Sequence, residues 1–191
     1  MLPAITNQKL ILFNGPRHSG KDTAADHVWS VFANTMRFKM SRPLKDAIKA
    51  FFNLTDAQVA YLESKKTQPD DLLFGNSYVD VQISMSEYWA KDKFGMRVFG
   101  KLALREVQAS PSKLFVCSDS GFDYEAAPLL TYFGISNVML VRLHREGKSF
   151  EGDSRSYIEL PGVRTIEMSN NGSTTHFREQ VKEIVSIWLS L

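Results

Sequence analysis

The sequence predicts an α/β domain with three layers, in which helices cover both faces of a five-stranded parallel sheet. Three observations carry that expectation. Five short apolar runs, Lys9–Phe13, Met36–Met40, Leu114–Ser118, Val138–Leu143 and Val163–Met168, read as buried strands. The segments between them show helical period, and such alternation favours a parallel sheet covered on both sides. A glycine-bearing polar loop, Gly15 to Gly20, joins the first run to the first helical pattern.

The first strand, Lys9–Phe13, meets Gly15. From Thr23 onward Ala24, Val28 and Phe32 mark a helix, with Ala25 and Trp29 alongside. After the second strand, Pro43 suits a first helical turn. The apolar stripe Leu44, Ala47, Ile48, Phe51 and Phe52 extends that helix. Thr55-x-x-Gln58 and Ser84-x-x-Glu87 both have the form of a capping box, which predicts helix starts at both places. Residues Ser64–Asp80 and His144–Pro161, rich in Gly, Pro, Ser and charge, are expected to be long connections. The last helix carries Phe177, Val181, Ile184, Val185, Trp188 and Leu189 on one stripe.

Composition narrows the function classes. At 191 residues the chain suits one domain with a real core. Lys plus Arg is 23 against 21 Asp plus Glu, so no general basic field argues for nucleic acid or a membrane surface. Cys117 is the single cysteine, which rules out an internal disulfide and a cysteine-based metal cluster. The first residues show no basic leader, and no apolar stretch reaches the ~18 residues that span a bilayer. There is no nucleophile elbow of the Gly-x-Ser-x-Gly type.

The strongest chemical signal is the loop Gly15, Pro16, Arg17, His18, Ser19, Gly20, Lys21, Asp22, Thr23. Strand, glycine loop and helix, with Lys at the helix start, form a cradle for phosphate. The first helical amides lack internal partners, the helix dipole adds positive potential, and Lys21 adds a full charge. Asp22 stands where a metal-binding hydroxyl is usual. A carboxylate is also a hard oxygen ligand, and equally an acidic residue that favours a helix start. Thr23 offers a hydroxyl one residue late.

The string G-x-x-x-S-G-K-D-T resembles the loop of bacteriophage deoxynucleoside monophosphate kinases. In the same order, "MSRPLKDAIKAFF", "ISMSEYWAKDKFG" with "FGKLA", "VCSDSGFDYEA", "VRLHREGKSFEGDSRSY" and "SNNGS" resemble further segments of that family. The resemblance covers most of the chain; Ser64–Asp80 matches nothing in the family, and Gly121 stands where the family often has Arg. It implies a single P-loop kinase domain over 1–191, a strand order of 2-3-1-4-5, a lid at about 144–161 and an acceptor-binding region at about 41–110. It implies that ATP with Mg²⁺ phosphorylates a deoxynucleoside monophosphate in the cytoplasm of an infected cell. The partners would be small nucleotides, not nucleic acid or membrane, with room for a homodimer.

Phosphoryl transfer needs positioning and charge neutralisation, which selects the remaining candidates. Lys21, Arg142, Arg145 and Arg155 are the expected catalytic cations, the three arginines suited to paired contacts with phosphate. Asp119 ends a buried strand, where ligands bind in open α/β sheets; it would touch Mg²⁺ or the acceptor, or else cap the next helix. Asp22 is the other candidate metal ligand. Arg42 and Lys45 would hold the acceptor's phosphate, and Glu87 would read its base unless it only caps a helix. Asn170, Asn171 and Gly172 would meet adenine, and they also suit a turn. The alternatives are a P-loop kinase for a nucleoside, dephospho-coenzyme A or a phosphorylated metabolite, and a nucleotide-binding regulator of a host protein.

Overall fold

The computed structural model describes residues 7–191. The reading that the first residues carry no basic leader falls largely on residues 1–6, outside those described. In chain order the elements are β1 (Lys9–Asn14), α1 (Lys21–Val31), β2 (Thr35–Phe38), α2 (Arg42–Phe51), α3 (Asp56–Ser64), β3 (Pro69–Asp70), β4 (Asn76–Ser77) and α4 (Tyr78–Met85). A π-helical stretch, Ser86–Lys91, leads into α5 (Asp92–Phe94). Then follow α6 (Val98–Gln108), β5 (Leu114–Cys117), α7 (Asp123–Phe133), β6 (Val138–His144), β7 (Arg164–Ser169) and α8 (Thr174–Leu189).

The chain divides into two compact units. One runs up to Met40 and resumes from Gly100 to Leu191; the other is Ser41–Phe99. The first unit holds the five-stranded sheet, in the order β2-β5-β1-β6-β7, with every pairing parallel. Counting only these strands, the order is 2-3-1-4-5, as the resemblance implies. The central strand β1 is buried from Leu10 to Asn14, which is why it reads as an unbroken apolar run. One core joins Ile11 and Phe13 of β1, Val116 of β5 and Val141 of β6 to Ala24 and Val28 of α1. Phe177, Val181, Val185 and Trp188 of α8 complete it.

The second unit has its own core of Ile48, Leu54, Leu62, Leu73, Tyr78 and Val81. Thr55 caps α3 as expected: its side chain accepts from the Gln58 amide while the Gln58 side chain accepts from Thr55 N at 2.8 Å. Pro43 sits in the first turn of α2.

Two expectations fail here. Ser84 does not begin a helix, because it lies inside α4. The start is Ser77, whose Oγ accepts from Asp80 N at 3.2 Å. The capping pattern occurs seven residues earlier than expected, and Tyr78 and Val81 supply the buried face that settles the choice. Residues 64–80 are not a bare connection either: β3 and β4 pair as a short antiparallel hairpin, and Leu73 and Tyr78 anchor it in the core. In the first unit, α1 starts at Lys21, two residues before the apolar period becomes visible, and β2 ends at Phe38 and not at Met40.

Candidate active site

β1 delivers the chain into the loop, and buried Asn14 fixes the delivery point. Its Nδ2 donates to Ser120 O (2.8 Å) and Ser156 O (3.2 Å), and its Oδ1 accepts from Ile158 N (3.2 Å). Gly20 has φ of 104° and a Cβ there would lie 2.3 Å from Asn170 Nδ2, so backbone and space both require glycine. Asn170 Nδ2 in turn donates to Ser19 O at 2.8 Å, and Arg145 Nη1 donates to His18 O at 3.1 Å. The loop is therefore held from the end of β7 and from the segment after β6.

Gly20 caps α1 without a side-chain acceptor, which leaves the first-turn amides available to an anion. Ser19 Oγ is buried and has no hydrogen-bond partner. Lys21 Nζ donates to the carbonyls of Gly15 (2.7 Å) and Pro16 (2.6 Å). Burial, with the Arg155 charge, pushes the Lys21 ammonium down to about 8, against the opposing pull of Asp22, Asp153 and Asp119. Free amides, a partnerless hydroxyl and a cation bonded only to neutral carbonyls fit a polyphosphate.

Asp22 is engaged by cations. Its Oδ1 accepts from Lys39 Nζ (2.7 Å), Arg37 Nη2 (3.0 Å) and Ser118 Oγ (2.8 Å). Burial works to raise this carboxyl, but those hydrogen bonds and charges hold it below its ordinary value. Asp119 does not cap the next helix, whose N-cap is Phe122. Its Oδ1 accepts instead from Met40 N (2.8 Å) and Cys117 Sγ (3.2 Å), tying the ends of β2 and β5 together. Among the described residues no group of three or more His, Cys, Asp or Glu side chains forms a metal centre.

The three arginines part company. Arg142, on β6, donates through Nε to Ile158 O (2.9 Å) and pairs with Glu167 (3.1 Å), so it straps the returning chain to the sheet. Arg145 reaches the phosphate loop, as above. Arg155 binds Asp153 through Nε (2.8 Å) and Nη2 (2.5 Å), and Arg17 of the loop approaches the same carboxylate at 3.5 Å. Asp153 is nearly buried. Its burial works to raise the carboxyl, and Arg155 and Arg17 hold it low.

Both ends of residues 144–161 are fixed. Glu146 N donates to Asn171 Oδ1 (2.8 Å), Tyr157 Oη donates to Leu143 O (3.1 Å), and Ile158 and Leu160 are buried. Residues 147–155 lie between these anchors. Gly172 lies in the turn between β7 and α8.

Arg42, Lys45 and Glu87 belong to the second unit. There Arg42 approaches Asp46 at 3.9 Å, Lys45 pairs with Glu63, and Glu87 accepts from Lys91 at 2.7 Å. Sequence reasoning passed over Asn14, Arg37, Lys39 and Asp153. Only Asn14 left a trace, as a polar residue closing an apolar run just before Gly15.

No protein-family model matches the chain, and no curated protein matches it in sequence. Solved structures do resemble it. A candidate kinase from Chloroflexus aurantiacus is 9% identical with a TM-score of 0.51, over 96% of this chain and 98% of that one. A sugar kinase from Janibacter sp. is 14% identical with a TM-score of 0.44, over 96% and 95%. A thymidylate kinase from Candida albicans is 11% identical with a TM-score of 0.44, over 94% and 92%. The fold assignment rests on the Chloroflexus protein together with the strand order: the chain has a three-layer α/β fold built on a five-stranded parallel sheet.

Proposed function

We propose that the chain is a kinase that transfers a phosphoryl group from ATP to a deoxynucleoside monophosphate, with Mg²⁺. Following the phage resemblance, it would supply DNA precursors in the cytoplasm of an infected cell. The observation that carries the reading is the set of cations gathered on one phosphate loop: Lys21 within it, Arg17 and Arg155 sharing Asp153, and Arg145 bonded to His18 O.

When bound, ATP supplies the transferred group and Mg²⁺ offsets part of its charge. Lys21 exchanges two carbonyls for phosphate oxygens, a gain because its ammonium now lacks a contacting anion. Arg155 and Arg17 exchange Asp153 for phosphate as residues 147–155 close and exclude water. Asp119 and Thr23 would hold the ion from the protein side; Asp22 would do so through Oδ2, since its Oδ1 already accepts from Lys39, Arg37 and Ser118. Asn171 and Gly172 would border adenine. Arg42, Lys45 and Glu87 would receive the acceptor, each releasing a partner inside its own unit.

The test is ADP formation from ATP with each of the four deoxynucleoside monophosphates, the ribonucleotides, nucleosides and dephospho-coenzyme A, with product detection. Turnover with a deoxynucleoside monophosphate alone supports the proposal. Turnover only with another acceptor leaves a P-loop kinase of different specificity. Binding of ATP without turnover on any acceptor favours a nucleotide-binding regulator. Hydrogen exchange supplies a second check: residues 147–155 should gain protection with a bisubstrate analogue, while 156–160 stay protected in both states.

A further inference from the structure

We propose that Gly121 is a positioning residue for Arg155: the absence of a side chain at 121 is the seat in which the Arg155 stem lies, beside the phosphate loop. A Cβ placed on Gly121 would stand 2.5 Å from Arg155 Cδ, 3.0 Å from Cγ and 3.8 Å from Cβ, and these are its three nearest neighbours. Real Cβ atoms do not approach that closely, so any other residue at 121 displaces the arginine. Backbone conformation does not demand glycine here, because Gly121 is not among the residues with positive φ. The demand is for space alone, and Arg155 is what fills it.

The contrast with Gly100 sharpens the point. A Cβ at Gly100 would strike Glu125 O at 1.9 Å, a backbone atom, so that glycine serves close packing of the chain. Gly121 instead makes room for a charged side chain whose other end is held. Asp153 grips the guanidinium through two nitrogens and also accepts from Arg155 N at 3.1 Å. The register of the seat is set by one buried atom. Asn14 Nδ2 donates to both Ser120 O and Ser156 O, the residues next to Gly121 and Arg155. The arginine is thus fixed at its stem by Gly121, at its head by Asp153, and in its backbone by Asn14. Its charge is among those that Lys21 feels most.

What Arg155 does rests on the kinase reading; where it sits does not, and the experiment separates the two. Gly121→Ala, Arg155→Ala and the double variant are compared by hydrogen exchange over residues 150–158 and by ADP release from ATP with the best acceptor of the panel, or from ATP alone. Gly121→Ala is expected to raise exchange to the level of Arg155→Ala. It should lower kcat on the order of 10-fold, as a misplaced group does, with KM for ATP moving less. Arg155→Ala should lower kcat about 10²-fold. In the Arg155→Ala background the added methyl should change either readout less than about 2-fold, since the two side-chain atoms it would strike, Cδ and Cγ, are gone.

Wild-type exchange in Gly121→Ala overturns the seat, and so does a Gly121→Ala effect that persists in full without Arg155. If Gly121→Ala alone does not fold, the double variant must fold, because the clash is removed; a double that also fails overturns the proposal. Exchange that rises as expected while Arg155→Ala keeps wild-type turnover upholds the seat and removes Arg155 from catalysis.

Discussion

Lys21 and Arg155 are neighbouring cations, and the two regions that carry them hold their charge in opposite ways. The phosphate loop gives Lys21 only neutral carbonyls, and burial lowers its proton affinity to about 8. The segment after β6 gives Arg155 a nearly buried carboxylate two residues away, and that contact raises its proton affinity. One cation is stored under-compensated; the other is stored with a counter-ion. Under the proposed kinase reading, an incoming phosphate would relieve a cost at Lys21, but at Arg155 it would have to compete with Asp153. The loop would then be ready for its ligand as folded, whereas Arg155 would become available only on a change of partner.

The largest test of this asymmetry is Lys21→Ala, expected to lower turnover at least ~10²-fold in a folded protein by removing charge compensation in the transition state. Near-normal turnover would take the loop out of the mechanism. The pH dependence follows from the sign of the shift. Lys21 is charged below about 8 and loses its proton above it, so ATP affinity should fall as pH rises through that value. Calorimetry in buffers of different ionisation enthalpy should find proton uptake on ATP binding near pH 8.5. The same shift costs stability. Between about 8 and the ordinary 10.5 the folded state binds fewer protons than the unfolded, so the cost is full below 8 and is relieved on going up. Lys21→Met should then melt above wild type at pH 7, with the gap closing as pH rises toward 10.5.

Asp153→Asn addresses the other half. Removing the stored counter-ion should tighten ATP binding several-fold while lowering stability by about 1–3 kcal/mol, the usual result of leaving a buried charged partner unmatched. Opposite signs in the two measurements are the signature. Because the folded Asp153 carboxyl is held low, its contribution is complete above its ordinary 3.8 and is lost as pH falls through the folded value. The stability gap between wild type and Asp153→Asn should therefore close on acidification. Weaker ATP binding would mean that Asp153 holds Arg155 for phosphate and does not compete with it.

The sequence exposed the loop more fully than the lid for a physical reason. Gly15 to Lys21 is defined by backbone conformation and by the place of Lys21 at the helix start, which local spacing displays. All five strands of the sheet were likewise legible: β1, β5 and β6 are short buried runs, whereas β2 and β7, at the sheet edges, bury only Phe38 and Met168 and are read from the apolar residues within them. Asp153, Arg37 and Lys39 work through contacts that ordinary surface charges could also make, so composition does not separate them. Arg142 reads in sequence as a phosphate ligand, and its contacts to Ile158 O and Glu167 lie 16 and 25 positions along the chain, beyond what local spacing displays. In the second unit the start of α4 was misplaced because two Ser-x-x-acid patterns compete, and only burial of Tyr78 and Val81 chooses between them. Gly121 read as a departure from a family pattern; its meaning lies 34 positions along the chain, in the stem of Arg155.

The smallest expected effect tests which side of this comparison Asp22 belongs to. If it is a counter-ion, it resembles Asp153; if it is a metal ligand, it belongs with the reacting phosphates. Its Oδ1 already accepts from Lys39, Arg37 and Ser118, and its side chain is 59% exposed. Exposed ion pairs contribute at most about 1 kcal/mol, and an acidic residue in a first helical turn adds roughly 0.3–1 kcal/mol. Asp22→Asn should therefore lower stability by about 1 kcal/mol, with the loss vanishing below the ordinary carboxyl range because the wild-type group is held low. As a counter-ion its removal leaves the Mg²⁺ concentration for half-maximal rate unchanged. It also frees Lys39, while Arg37 keeps its pair with Asp26, and the freed charge should strengthen the salt dependence of ATP binding. A several-fold rise in the Mg²⁺ requirement at unchanged stability would instead place the ion on this carboxylate, with Lys39 and Arg37 turning to the phosphates.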